Sequence, residues 1–303
     1  MSTESWVVRK LRVVLKLSNN VKYSGTTGNT LTLEGYRVRV HTRFGGGDFG
    51  MSSEIEIFGL SQAYMNDLTM LSWKPLSTEH NVIEVYAQVG DAWPLIYTGD
   101  IIEGIADYRE SPEVPFRIYA VTAGYPALAS YVSLSYSGTV TAEQVITDAA
   151  SVLGLTVVNH GVNLSYRDSY FSGSAPEVIR KAIGLHAIET FVNGTQLHIV
   201  PRGSPISGDI QVELNASTGL VGYPTINRQG VAAKSMFLPN LLNGSAIRIS
   251  GSPITAVNNT WRVFAVYHSL ESEIPGGDWF TEILASDLVD GQPRGGLGGP
   301  FGV

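Results

Sequence analysis

Cysteine is absent from the chain, which excludes a disulfide framework, a thiol nucleophile and any Cys-ligated zinc or iron–sulfur centre. Charge is sparse too: Asp, Glu, Lys and Arg supply 16% of 303 residues, against about 25% in ordinary globular domains. No stretch approaches the roughly 20 uncharged apolar residues of a membrane span. Charges also break any signal-peptide core in residues 6–17, WVVRKLRVVLKL. The expectation is a protein soluble when made and without an export address. The six histidines show no H-x-H or H-E-x-x-H spacing and there is no G-x-S-x-G elbow, so no local metal or nucleophile signature is present. What the chain has is 33 glycines, 14 prolines and 44% hydrophobic residues. That is too apolar for disorder, and it favours strands and turns over helical bundles. Length alone suggests two or three domains, and a net charge of −7 argues against a general nucleic-acid binder.

Alternation dominates the first 125 residues. Val7, Leu11, Val13, Leu15 and Leu17 fall on one face of a strand and Lys10, Arg12 and Lys16 on the other. The same period of two predicts strands over 36–43, 53–58, 81–88, 95–102 and 115–121, with turns such as Gly45–Asp48 and Gly90-Asp91 between them. A short helix is expected over 61–71, with Tyr64, Leu68 and Leu71 on one side. Residues 138–201 read differently. Thr141-Ala-Glu-Gln144 and Ser174-Ala-Pro-Glu177 fit capping boxes opening two helices that stop at Gly154 and Gly184. Strand 155–158 and a hairpin turning at Asn193-Gly194 complete a small α/β unit. Beyond residue 205 the strand pattern returns, with hairpin signals at Asn243-Gly244, Asn258-Asn259 and Pro275–Gly277. The Gly/Pro-rich residues 291–303 are expected to hold no regular element. The fold class predicted is mainly β with a small α/β insert: two antiparallel β-barrel-like domains flanking a two-helix α/β unit. Its parts are a first β domain at 1–125, the α/β domain at 126–205, a second β domain at 206–290 and a flexible tail at 291–303.

Residues 45–50 satisfy G-x-G-x-x-G, but a dinucleotide site needs a helix next, and 51–58 alternates as a strand, so a hairpin loop is the reading. The sharpest charged feature is Arg37, Arg39, His41 and Arg43 on one strand face. Residues 1–43 hold eight Lys/Arg against Glu4 and Glu34, a net of +6 that leaves −13 for the remaining 260. A basic stripe could face DNA or an acidic partner. Pairing across the glycine loop would instead place Arg39 opposite Glu56 and His41 opposite Glu54, a cross-strand ladder. Arg37 and Arg43 are then left without partners and, with Gly45, Gly46 and Gly47, are the candidate interface residues. Asp209, Glu213, Glu271 and Glu273 could be imagined as a glycosidase pair, and Trp261, Phe264, Tyr267, Trp279 and Phe280 as a sugar groove. Solvated strand faces and core packing account for both sets. No catalytic, cofactor or metal site emerges.

Three segments carry a resemblance. In 53–68, SEIEIFGLSQAYMNDL, a strand runs into a GLS helix start, and the strands at 81–88 and Tyr97–Ile101 follow. In 217–250, Thr218-Gly219-Leu220, Gly222-x-Pro224, Gly230-Val231, Leu238-Pro239 and Asn243-Gly244 stand in order. In 261–285, WRVFAVYHSLES is followed by PGGDWFTEILA. Together these segments resemble the baseplate hub proteins of contractile phage tails.

The resemblance implies a structural, non-enzymatic virion protein of the tail baseplate, made in the host cytoplasm. Three copies would form a ring joining a sixfold tail tube to a threefold central spike around an axial channel for the genome. It implies no cofactor, no membrane and no sequence-specific nucleic-acid binding. The implied partners are further copies of the chain, the tube or its initiator and the spike, with the tape measure and wedge proteins as further candidates. A hub of a type VI secretion or other contractile injection machine is the related alternative, disfavoured by the absence of a fused spike β-helix. A β-sandwich carbohydrate-active enzyme is the alternative from another class.

Overall fold

The computed structural model describes residues 9–18, 22–23, 28–45, 51–69, 81–124, 130–184, 188–227, 230–289 and 292–293. The chain is mainly β and divides into two compact units. The first comprises Met1–Thr42, Ser52–Gly124 and His268–Phe280; the second comprises Arg43–Met51, Tyr125–Tyr267 and Thr281–Val303.

In the first unit, alternating side chains build strands β1 (Leu11–Lys16), β2 (Thr30–Glu34), β3 (Val38–Gly45), β4 (Ser52–Phe58), β5 (Val82–Ala87), β6 (Leu95–Ala106) and β7 (Pro115–Val121). They are ordered β2-β1-β5-β6-β7-β4-β3. The 268–272 segment flanks β3, with Ser272 N–H donating to the Val38 carbonyl at 2.9 Å. Glu273 N–H in turn reaches the Arg9 carbonyl at 3.4 Å, which curls the order back toward its start. Leu11, Val13, Leu15, Ile55, Ile57, Ile83, Val85, Phe116 and Ile118 are each no more than 2% exposed, as period-two burial requires. Strand β2 is absent from the sequence reading. It is only five residues long, and threonines interrupt its apolar alternation. Helix α1 (Gln62–Thr69) turns Met65 and Leu68 inward. The expected stripe therefore shifts from Tyr64 to Met65, while Tyr64 packs edge-on against Tyr23 at 6.2 Å. Leu71 lies outside the described residues.

The second unit contains the α/β part. Strands β8 (Val132–Ser135), β9 (Thr139–Thr141), β10 (Thr156–Asn159), β11 (Ser165–Arg167), β12 (Tyr170–Gly173), β13 (Ile188–Asn193) and β14 (Gln196–Pro201) surround helices α2 (Ala142–Val152) and α3 (Ala175–Ala182). The sheet order is β10-β14-β13, with β10 parallel to β14, beside the two-stranded ribbons β8–β12 and β9–β11. Thr141 Oγ1 accepts the Gln144 N–H at 3.1 Å, and Ser174 N–H donates to Glu177 Oε2 at 2.9 Å. These bonds satisfy orphan donors at the helix starts. The hairpin turn sits one residue later than expected: Asn193 pairs with Gln196, and Gly194 takes the positive φ of +60°.

The same unit holds β15 (Ile210–Leu214), β16 (Leu220–Asn227), β17 (Gly230–Met236), β18 (Ala246–Ile249), β20 (Trp279–Val289) from Thr281 onward, and residues 260–267 of β19 (Thr260–Glu271). Their order is β16-β17-β20-β19, with β18 on β19 and β15 parallel to β18. The Asn243-Gly244 signal is a turn but not a hairpin, because β17 and β18 are not neighbours. Gly244 is there for closeness: a Cβ would lie 2.7 Å from Ile206 and 2.9 Å from Phe191. Arg262, buried beside Phe191, pairs with Glu189 of β13, and Asn193 exchanges side-chain bonds with the backbone of Asn243 at 3.1 and 3.2 Å. These contacts bolt the α/β hairpin to the β-rich part of its unit. The expectation of no regular element after residue 290 is corrected at Gln292–Pro293, which form β21 against the end of β20.

Candidate subunit interface

Strand β3 buries Val38, Val40 and Thr42 at 0–1% exposure, which leaves Arg37, Arg39 and His41 on its outer face. Phe58 N–H donates to the Arg37 carbonyl at 3.0 Å, and that sets the β3–β4 register expected from the sequence. Arg39 Nη1 meets Glu56 Oε2 at 2.7 Å, the predicted rung, and Arg39 Nε also reaches Glu271 Oε1 at 2.5 Å. The next strand continues the row. Glu56 stands opposite Arg117 of β7 and accepts from its Nε at 2.9 Å, while Arg117 also pairs with Asp107 and Glu110. Across β4, β7 and β6 the adjoining row is Glu54, Tyr119, Glu103.

Arg37 is a correction. It was expected to be free, but its Nη1 pairs with Glu113 Oε2 at 2.7 Å and its guanidinium lies 4.4 Å from the Phe58 ring. His41 is the other departure: its Nδ1 lies 3.2 Å from Ser269 Oγ instead of pairing with Glu54. Arg43 is exposed and has no ion-pair partner among the described residues. Gly45 ends β3, and Gly46 and Gly47 lie outside the described residues.

The electrostatics follow from this grid. A hydrogen bond from Arg109, reinforced by Arg117, lowers the Asp107 carboxyl to about 2. Burial alone would raise Glu271, but the hydrogen bonds from Arg39 and the Asp278 backbone override it, and the carboxyl titrates below its ordinary value. Hydrogen bonds to Glu271 and to Glu56 raise Arg39 and Arg117 respectively. Arg37, Arg39 and Arg117 are committed to carboxylates, whereas Arg43, Glu54 and Glu103 have no ion-pair partner among the described residues. A depression of about 600 Å³ spans Arg39, Glu54, Glu56, Glu103, Arg117 and Tyr119. The face that reads as a basic stripe in sequence is therefore neutralised and carries an acidic surplus, unsuited to holding DNA. The network's acids Glu113 and Glu110 come from a loop and a short 3-10 turn, where no strand register could have revealed them.

Three members of the enzyme-like sets have structural partners. Glu271 is held by Arg39, Glu213 accepts from Ser250 Oγ at 3.2 Å, and Trp261 is 4% exposed with Nε1 donating to the Val257 carbonyl at 2.8 Å. No group of three or more potential metal ligands occurs among the described residues.

Solved structures with the same fold include phage-tail and secretion proteins. The chain is similar to a 43 kDa tail protein of prophage MuSo2 from Shewanella oneidensis, with TM-score 0.59 and 11% identity over 90% of this chain and 96% of that one. It is similar to a tail protein from Neisseria meningitidis, with TM-score 0.61 and 9% identity over 91% and 96%. It is also similar to an E. coli type VI secretion component that itself resembles T4 tail proteins gp27 and gp5, with TM-score 0.56 and 9% identity over 92% and 78%. No sequence among curated proteins matches. The family described as baseplate hub gp41 matches residues 10–275. With that match over most of its length, the chain belongs to the baseplate hub gp41 family and is a structural component of the phage tail.

Proposed function

We propose that three copies form a ring that joins the sixfold tail tube to the threefold spike and frames the axial channel. The carrying observation is the extent of the match: a baseplate-hub family spans residues 10–275, and the fold likeness to tail proteins covers nine-tenths of the chain. On this reading the chain divides functionally into β domains at 1–125 and 206–290, an α/β insert at 126–205, and a tail at 291–303. Two related β domains per copy would present six in a trimer, which suits a tube of sixfold symmetry. The role is architectural, with tube, spike and tape-measure surfaces as neighbours and no catalytic step. The acidic surplus on the β4–β7–β6 face fits a surface that repels a passing polyanion. A hub of a type VI secretion machine is the second reading, favoured by the likeness to the E. coli component. Cryo-electron microscopy of intact tails tests both. Three copies between tube and spike are expected, and density for the chain elsewhere, or in another copy number, overturns the proposal.

A further inference from the structure

The joint that fastens the β13–β14 hairpin to the β-rich part of its unit is polar. Phe191 sits in it, against Gly244 and 5.8 Å from the Arg262 guanidinium. Around that ring the fastening is by ions and amides. Arg262 pairs with Glu189 and donates to the Ser204 carbonyl at 3.4 Å, and the Asn243 N–H donates to Asn193 Oδ1 at 3.1 Å. Six buried side-chain polar atoms lack a hydrogen-bond partner among the described residues, and five of them belong to His198, Asn243, Ser245 and Arg262. Desolvation of these atoms goes uncompensated, which weakens the joint.

His198 belongs to this joint by register. It stands opposite Phe191 and so shares that side of the sheet. Asn159, on the other side, bonds Glu143 of helix α2 at 2.7 Å. His198 is 6% exposed, and its Nδ1 lies 2.9 Å from Nε2 of the half-buried His160, which follows β10. Two ring nitrogens can bond at that distance only if one of them is bare, because N–H cannot donate to N–H. A neutral pair, or a pair with one added proton, keeps the contact; two imidazolium ions break it. The charged groups packed near His198 are His160 at the end of β10, Glu189 of β13 and Arg262 of β19, and the last two pair with each other. Among the described residues neither ring meets a carboxylate that would hold a second proton. A charged His198 would also add a second cation to a joint in which Arg262 is already buried.

We propose that this joint is an acid-operated latch: protons taken up by the His160–His198 pair part the two rings and free the β13–β14 hairpin from residues 243–263, while the β10-β14-β13 sheet and its helices stay folded. The latch is independent of the ring proposed above. The Asn243 N–H reports on it, because its acceptor lies across the joint. The Thr156 N–H, which donates to the Thr195 carbonyl at 2.9 Å within the sheet, is the control. Amide exchange of the full-length chain, expressed as protection factors from pH 7 to pH 4.5, tests the latch. Asn243 protection is expected to fall by about tenfold per pH unit below the ordinary histidine value, as one proton per opening requires, with Thr156 protection unchanged. His198→Gln is expected to remove that dependence and leave Thr156 protected. Parallel loss at both amides would mean that the whole unit loosens, and would overturn a local latch. Asn243 protection that ignores pH in the wild type, or a slope that survives His198→Gln, would overturn the role of the histidine pair. The wild-type series decides by itself should the variant fail to fold.

Discussion

His160 and His198 stack with ring centroids 5.2 Å apart, and His160 Nε2 lies 2.9 Å from His198 Nδ1. Burial lowers both below their ordinary value of 6.5, and His160 helps push His198 to about 4. Burial lowers His268, in the first unit, to about 3. A base with a depressed folded value binds its proton more readily when unfolded, so stability falls as pH drops through the unfolded value. The contribution is complete above about pH 6.5 and is lost between there and about pH 4. Urea midpoints measured at pH 7.5 and 4.5 should show that loss, and His198→Gln should flatten the profile of the second unit while leaving the His268 part in place. Charges obey a different ranking. Arg117 is one-third exposed in its network, so Arg117→Met should cost about 1 kcal/mol or less. Glu189→Gln should cost up to about 3–5 kcal/mol, because it strands the buried Arg262 guanidinium. Chemical denaturation of the two variants side by side gives the comparison.

Among the elements, closeness decides more than propensity does. A Cβ on Gly230 would sit 2.0 Å from the Ala285 carbonyl oxygen, and the residue holds φ +138°. The obstacle is backbone and cannot swing aside, so Gly230→Ala should unseat β17 from β20 and cost more than about 3 kcal/mol, visible as lost amide protection in both strands. Ser174→Ala removes one half of a capping box and should cost only about 1 kcal/mol, seen as faster exchange in the first turn of α3. Such caps were legible in the sequence because Ser174 and Glu177 are three residues apart and signal locally. The β3–β4 register was legible for the same reason: two alternating runs flank a glycine loop, and the Arg39–Glu56 rung follows. The second partner of Arg39 was not, since Glu271 lies 232 residues away. Arg37 illustrates the limit as well, because its partner sits in a loop that no period describes. At Asn243-Gly244 the local signal was real, but its cause was tight packing against Phe191, which only the tertiary structure reveals.

The molecule as a whole has a legible class and a less legible partition. Mainly β architecture with a two-helix insert follows from the switch between periods of 2 and 3.6. The compact units, however, cut across the chain, with His268–Phe280 belonging to the same unit as the first 42 residues. Val38 N–H and the Tyr36 carbonyl both bond the Ser272 hydroxyl, and His268 N–H bonds Thr42 Oγ1. During synthesis at about 5–20 residues per second, the edge of β3 therefore waits on the order of tens of seconds for its neighbour. A fragment ending before His268 should remain aggregation-prone and should lack a cooperative thermal transition. Light scattering and calorimetry of residues 1–124, with and without an added peptide of 266–282, would check this; a sharp transition for the fragment alone would count against it. The first unit is thus completed only by a segment made late in synthesis. A chain released before His268 lacks the segment that flanks β3, so its first unit is left with that edge open.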